Sequence, residues 1–231
     1  MALTSGLVTY QKLEANGNGE SGGLNFSATS VSFGSGGKIG NRAQFGTSGN
    51  KLAVTSSSLN LSQYTINMWI KGNWTGATRE VVYSRGNTWG NGQGVNIFLS
   101  DGGSFSVHQG GSYGSGNKMI NSNITGLLTT GNWHMLTLTY DGTNLRGYIN
   151  GNLVGTVSSG YNSSTAESRL GLRGDGSDYY RGEMDEVGFW NRALSNSEIT
   201  ELYNGGAGLT HPFTSAPINN NPSFLLLCRH V

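Results

Sequence analysis

Between Trp133 and Val157 three short apolar runs are separated by two Xaa-Gly pairs, and this stretch constrains the fold more than any other. Leu136, Leu138 and Tyr140 fall on one face of an extended segment, with Thr137 and Thr139 between them. Asp141-Gly142 turns the chain and Leu145–Ile149 runs back. Asn150-Gly151 then supplies the two residues tolerant of positive φ that a type I′ turn requires. Leu153–Val157 completes a three-stranded antiparallel meander.

Further strands are expected at Leu7–Leu13, Ala43–Phe45, Tyr64–Lys71, Glu80–Ser84, Val95–Leu99, Ser104–His108, Ser168–Leu172 and Gly182–Trp190. Short strands with turn chemistry between them indicate an all-β sandwich or barrel. The composition agrees: 38 glycines and only 12% charged residues suit many tight turns, while 10% aromatics provide for a core. One short helix is expected near the end, closing one end of the sandwich. Ser195 and Glu198 have capping-box spacing, Ile199, Leu202 and Tyr203 form a stripe, and Asn204-Gly205-Gly206 stops it. Residues 1–209 are thus expected to form one domain. Residues 210–231 read as a Pro-punctuated tail ending in an apolar octapeptide. Its Phe224, Leu225, Leu226 and Leu227 are expected to dock on the chain's own domain or on a neighbouring one.

Several classes are disfavoured. A net charge of +1 offers no footprint for nucleic acid. No apolar run approaches the roughly 20 residues that insert across a bilayer. The first residues lack the basic and apolar regions of a signal peptide, and Cys228 is the one cysteine, so no internal disulfide forms. A cytoplasmically made product is the expectation.

Five segments carry a family resemblance. They are Gly6–Leu13, Gly37–Gly46 (GKIGNRAQFG), Tyr64–Lys71 (YTINMWIK), Trp133–Val157, and Gly182–Ser195 (GEMDEVGFWNRALS). Together they resemble the laminin-G type of the concanavalin A-like lectin/glucanase superfamily, over about residues 6–208. The resemblance implies a two-sheet antiparallel jelly-roll sandwich, with Trp69, Trp133 and Trp190 in packing positions. Function does not follow from it, because this fold hosts lectins, adhesins, glycanases and virion components.

The resemblance also directs attention to Glu183, Asp185 and Glu186. Some glucanases of this architecture use Glu-x-Asp-x-x-Glu, and here the third position is Gly188. Retaining hydrolysis needs two carboxyls about 5–5.5 Å apart. Glu183 and Asp185 share a strand face at a two-residue rise of roughly 6.8 Å, with Glu186 pointing the opposite way. No catalysis is expected. In the proteins resembled, an Asp on the last strand contributes to a structural calcium. Carried over by position, the candidates are Asp185, the Gly46 carbonyl and Glu14, although many relatives carry Asp where this chain has Gly46. The alternative is an Asp185 held by backbone N–H groups. His108, His134, His211 and His230 show no zinc spacing.

A glycan site needs aromatic faces beside amides and carboxylates. Two regions supply that chemistry: Trp74 with Asn87 and Trp89, and Asp175, Asp178, Tyr179 and Tyr180, joined by Tyr113. The first functional expectation is a non-catalytic virion protein, a capsid decoration or tail accessory module. It would contact other virion proteins or copies of itself, with weak binding to cell-surface glycans. The second is a soluble glycan-binding or adhesion module of a bacterial surface protein, and the third a divergent glycanase.

Overall fold

The computed structural model describes residues 2–20, 23–73, 79–86, 93–100, 104–110, 118–123, 126–161 and 163–213. In chain order the strands among them are β1 (Leu7–Gln11), β2 (Ser27–Thr29), β3 (Ser32–Ser35), β4 (Asn41–Phe45), β5 (Lys51–Val54), β6 (Tyr64–Gly72), β7 (Glu80–Arg85) and β8 (Val95–Ser100). There follow β9 (Ser104–Gln109), β10 (Lys118–Asn123), β11 (His134–Tyr140), β12 (Asn144–Ile149), β13 (Asn152–Ser158), β14 (Ser168–Leu170), β15 (Gly182–Trp190) and the helix α1 (Asn196–Tyr203). All pairings are antiparallel. One sheet of eight strands runs β13-β12-β11-β6-β15-β4-β3, with β1 also on β15; the other, of seven, runs β10-β9-β8-β7-β14-β5-β2.

The meander forms as its sequence requires. Asn150 and Gly151 take φ of 51° and 80° in the turn between β12 and β13. Leu136, Leu138 and Tyr140 enter the core between the sheets, and Thr137, on the other face, accepts a 2.8 Å bond from Asn67 Nδ2. The inward residues of both sheets, among them Ile66, Met68, Ile97, Phe105, Val107, Leu170, Val187 and Phe189, build one continuous core. This is the face-to-face packing of a sandwich, in which the side-chain period of two feeds the interior from both layers.

Four strands were not anticipated: β2, β3, β5 and β10. Ser-Ala-Thr and Ser-Phe-Gly-Ser carry too few apolar residues to show a period; both are edge strands, β2 held by the sequence-distant β5 and β3 by the adjacent β4. The first strand is shorter than expected, ending at Gln11, because the chain bends where Leu13 takes φ of 59°.

The helix carries its capping box, with Glu198 N–H donating to Ser195 Oγ at 3.4 Å and Ser195 N–H donating to Glu198 Oε2 at 2.9 Å. Asn204, in the left-handed conformation, ends it. Its position corrects the expectation of an end cap. Ile199 and Leu202 pack with Trp69, Met135, Tyr148 and Trp190, all on the outer face of the eight-stranded sheet, and form a second core there. Residues past 209 join it. Tyr10 donates its hydroxyl proton to the Leu209 carbonyl at 3.1 Å, and the Phe213 ring stands edge-on to Tyr10 at 5.2 Å. The sandwich domain thus extends through Phe213, beyond the expected boundary at 209.

Candidate functional site

On β15 a β-bulge lies between Asp185 and Gly188, where three steps on this strand oppose two on β6. Glu186 is the extra residue, in the left-handed region at φ 51°. The bulge changes which way it faces. Glu186 is on the outer side with Asp185, beside the hydroxyls of Tyr10 and Thr210, and does not point to the opposite face as strict alternation predicts. It is fully buried, and neither carboxylate oxygen has a well-formed hydrogen bond. Burial pushes its pKa up to about 7.

The other acids of this region are fasteners. Asp185 Oδ2 accepts the Ile39 N–H and Oδ1 the Glu186 N–H, both at 2.9 Å. Burial pushes this carboxyl up to about 8. Glu14 Oε2 accepts the Asn41 N–H at 2.9 Å, so Glu14 and Asp185 brace the Gly37–Asn41 loop from two sides. Gly46 lies elsewhere. Ala43 is opposite Met184 and Phe45 opposite Gly182, which sets Asp185 level with Arg42, four residues or about 13 Å from Gly46 along β4. The Gly46 N–H binds Asn50 Oδ1 at 2.8 Å. Calcium takes six to eight oxygens around one point. Asp185, Gly46 and Glu14 do not converge, and amide donors hold the Asp185 oxygens, so these residues do not fit that ion. Among the described residues no group of three His, Cys, Asp or Glu side chains forms a metal cluster. Glu183 is paired with Arg42 Nε at 2.9 Å and Lys71 Nζ at 3.1 Å. Glu183 is thus held between two cations and Asp185 is committed to the backbone, so neither carboxyl of the pair is free for the role of nucleophile or acid in glycoside hydrolysis.

The outer face of the seven-stranded sheet has a different character. Val95, Ile97, Leu99, Phe105 and Val107 point inward, so Asn96, Phe98, Ser106 and His108 point outward. All four are nevertheless buried. The Phe98 ring meets His108 edge-on at 4.9 Å and lies under the Arg79 guanidinium at 5.3 Å. Burial, then Arg79 and Arg173, push His108 down to about 4, so it is neutral at physiological pH. The connection from β14 to β15 crosses this face. Gly174 N–H donates to Ser84 Oγ of β7 at 3.1 Å. Asp178 Oδ2 accepts Arg79 Nη2 at 2.8 Å and Arg173 Nη1 at 3.2 Å, clamping the connection to the sheet. Arg181 sits over the half-buried Tyr179 ring at 4.3 Å and is 3.4 Å from Glu80. Asp175 is exposed, accepting Ser177 N–H at 3.0 Å.

The structure thus brings Asp175, Asp178 and Tyr179 onto one face, but Tyr180 is a correction. It is fully buried, its ring 6.0 Å from Phe45 and its hydroxyl donating to the Lys71 carbonyl at 2.9 Å, so no part of it faces a ligand. Trp74, Asn87, Trp89, Tyr113 and the tail Phe224–Leu227 lie outside the described residues. Sequence reasoning missed Arg79, Phe98, His108 and Arg173. The one signal was Phe98, an aromatic in phase with Asn96 on the polar face of its strand.

Two antiparallel sheets, a helix sealing one outer face and a clamped connection across the other define a concanavalin A-like sandwich. Residues 45–200 match the laminin-G-type family model of the concanavalin A-like lectin/glucanases superfamily, and the chain belongs to it. No curated protein matches in sequence. Among solved structures, domain 4 of AbnA, an extracellular arabinanase of Geobacillus stearothermophilus in complex with arabinotriose, superposes with a TM-score of 0.66 at 18% identity. That match covers 84% of this chain and 97% of that one. The binding domain of Paraclostridial Mosquitocidal Protein 1 gives 0.68 at 20% identity, covering 87% and 52%. The binding domain of botulinum neurotoxin DC in complex with SialylT gives 0.68 at 16%, covering 87% and 51%. This chain therefore spans about half the length of the toxin domains.

Proposed function

We propose that this chain is a non-catalytic glycan-binding module whose ligand lies on the outer face of the seven-stranded sheet. The observation that carries the reading is the array on that face. Asp178 holds Arg79 and Arg173, the half-buried Tyr179 presents a ring beside Arg181, and the exposed Asp175 connection lies alongside. Sugars offer C–H faces rimmed by hydroxyls, which rings and fixed charged donors and acceptors recognise together. The arabinotriose and SialylT complexes of two structural relatives support a glycan as the ligand class. Trp74, Asn87, Trp89 and Tyr113 join this site in the proposal. They sit in connections leading into or out of β7, β8 and β9.

A glycan array followed by titration calorimetry tests it. Retained glycans are expected, and Tyr179→Ala is expected to weaken binding about tenfold, the equivalent of one aromatic contact of about 1.4 kcal/mol. Equal affinity in Tyr179→Ala and Arg79→Gln would place the ligand elsewhere.

The setting proposed is a virion, with Phe224–Leu227 as the attachment to neighbouring subunits. Light scattering of the full chain and of a chain ended after Phe213 tests this part. A defined oligomer that becomes a monomer supports it, and two monomers favour the soluble bacterial module.

A further inference from the structure

Eight arginines lie among the described residues, and seven touch a carboxylate at 2.6–3.4 Å: Arg42, Arg79, Arg146, Arg169, Arg173, Arg181 and Arg192. The eighth, Arg85, is the most buried of them, at 1% exposure, and has no acidic partner among the described residues. Its Nε donates to the Ser164 carbonyl at 3.0 Å, Nη1 to Ser168 Oγ at 2.7 Å and Nη2 to the Ser56 carbonyl at 3.1 Å. A guanidinium carries five N–H donors, so one on each terminal nitrogen remains. These acceptors are neutral. They satisfy hydrogen bonds and leave the charge uncompensated in a low-dielectric interior, where an unpaired ion is strongly penalised.

Arg85 also lines a cavity between the two sheets, walled by Leu59, Leu61, Tyr64, Val95 and Tyr161. Its free space for the centre of a water-sized body is about 10 Å³. That admits one small particle and nothing larger. The phenols around it supply no counter-charge. Tyr83 is pushed up to about 12 by burial, and the Tyr64 and Tyr161 phenols are also raised by burial. The Tyr64 hydroxyl donates to Gln109 and that of Tyr161 to Asn60.

We infer that this cavity is an anion site, in which one monovalent ion of chloride size is held by the spare N–H groups of Arg85. The site is independent of the glycan reading, because it lies between the sheets and not on an outer face. It explains why the deepest arginine is the one without a carboxylate: its counter-ion comes from solvent. Carbonyl acceptors at Ser56 and Ser164 fix the guanidinium plane.

The test exchanges sodium gluconate for sodium chloride or bromide at constant ionic strength and reads the thermal midpoint of the full chain. A saturable rise with halide is expected, as for any ligand that binds the folded state. The rise is expected to vanish in Arg85→Met. Equal midpoints of the wild type in gluconate and chloride, or an undiminished rise in Arg85→Met, overturn the inference. Crystals of the wild type grown in bromide provide a readout that does not depend on the variant folding. An anomalous peak beside the Arg85 guanidinium is expected, and a cavity without one overturns the site.

Discussion

Replacing Glu186 by Gln removes a buried carboxylate without changing shape or backbone preference at the bulge. Glu186 is fully buried, with neither oxygen in a well-formed hydrogen bond, and burial raises its pKa from 4.5 to about 7. A carboxyl raised in the folded state binds its proton more tightly there than in the unfolded chain. The folded state is therefore not penalised below pH 4.5; the penalty grows between 4.5 and 7 and is complete above 7. A shift of that size at 1.36 kcal/mol per unit amounts to roughly 3 kcal/mol. The amide that replaces the carboxyl carries no charge, so the variant escapes the penalty. Urea denaturation at about pH 5 and about pH 8.5 measures the difference. Part of the penalty is already present at about pH 5, so the wild type is expected to lose roughly 2.5 kcal/mol more than Glu186→Gln between the two, with the variant the more stable at the higher pH. Parallel losses would refute the reasoning and mean that the carboxylate finds partners in the folded state. Asp185→Asn is a useful contrast. Its oxygens accept backbone N–H groups from Ile39 and Glu186, so the amide loses an acceptor. Burial also raises this carboxyl from 3.8 to about 8, so the variant's loss relative to the wild type is expected to shrink as pH rises through that range.

Glu198→Ala removes the capping box and the two bonds from Arg192, at 2.6 and 2.9 Å, and is expected to cost about 2–3 kcal/mol by chemical denaturation. Because Arg192 holds Glu198 down to about 2, its contribution is present above pH 4.5 and is lost as pH falls toward 2, so the difference between variant and wild type is expected to shrink in acid. Gly171→Ala places a methyl against the Phe45 ring at a backbone φ of 82°, and a loss of about 3 kcal/mol is expected in the same assay. Trp190→Phe deletes the indole N–H that donates to the Leu3 carbonyl at 2.7 Å. About 2 kcal/mol is expected, with faster amide exchange at residues 3–6.

What was legible in the sequence is what local pattern controls. The meander, the turn at Asn150-Gly151 and the box from Ser195 to Glu198 each rest on residues within a few positions of one another. Structure that depends on distant partners was not legible. β2 is a strand because the sequence-distant β5 pairs with it, not because Ser-Ala-Thr favours extension; β3 pairs locally with β4, and Ser-Phe-Gly-Ser was missed for want of apolar residues. The bulge at Glu186 adds one residue to β15, and a period-two reading carried through it turns every later assignment over unless the extra residue is seen. Tyr180 follows Asp178 and Tyr179 in a polar segment, and nothing local says that its ring goes under Phe45. Arg85 lies just past the expected strand Glu80–Ser84 with no local mark of its burial; its isolation is visible only once the seven other described arginines are seen in their pairs.

The distribution of covering elements argues for where ligand chemistry sits. The eight-stranded sheet has its outer face closed by α1, Leu3 and residues 209–213, which bury Tyr10, Trp69 and Trp190. Three of its acids are spent on geometry: Glu14 and Asp185 hold the Gly37–Asn41 loop, and Glu183 sits between two cations, while Glu186 is buried beside them. A carboxylate that must keep a loop in place cannot also exchange protons with a substrate without releasing that loop, so stability and hydrolysis would compete for the same atoms. The seven-stranded sheet is built otherwise. Its outer face is crossed by a connection held through side chains, Asp178 to Arg79 and Arg173, and through backbone N–H groups, Gly171 to the Val82 carbonyl, Gly174 to Ser84 Oγ and Arg181 to Glu80. Residues such as Asp175 and Tyr179 can vary there without disturbing the core. Loops on a rigid scaffold are where recognition residues concentrate, and that is the ground on which the ligand is proposed for this face rather than the other.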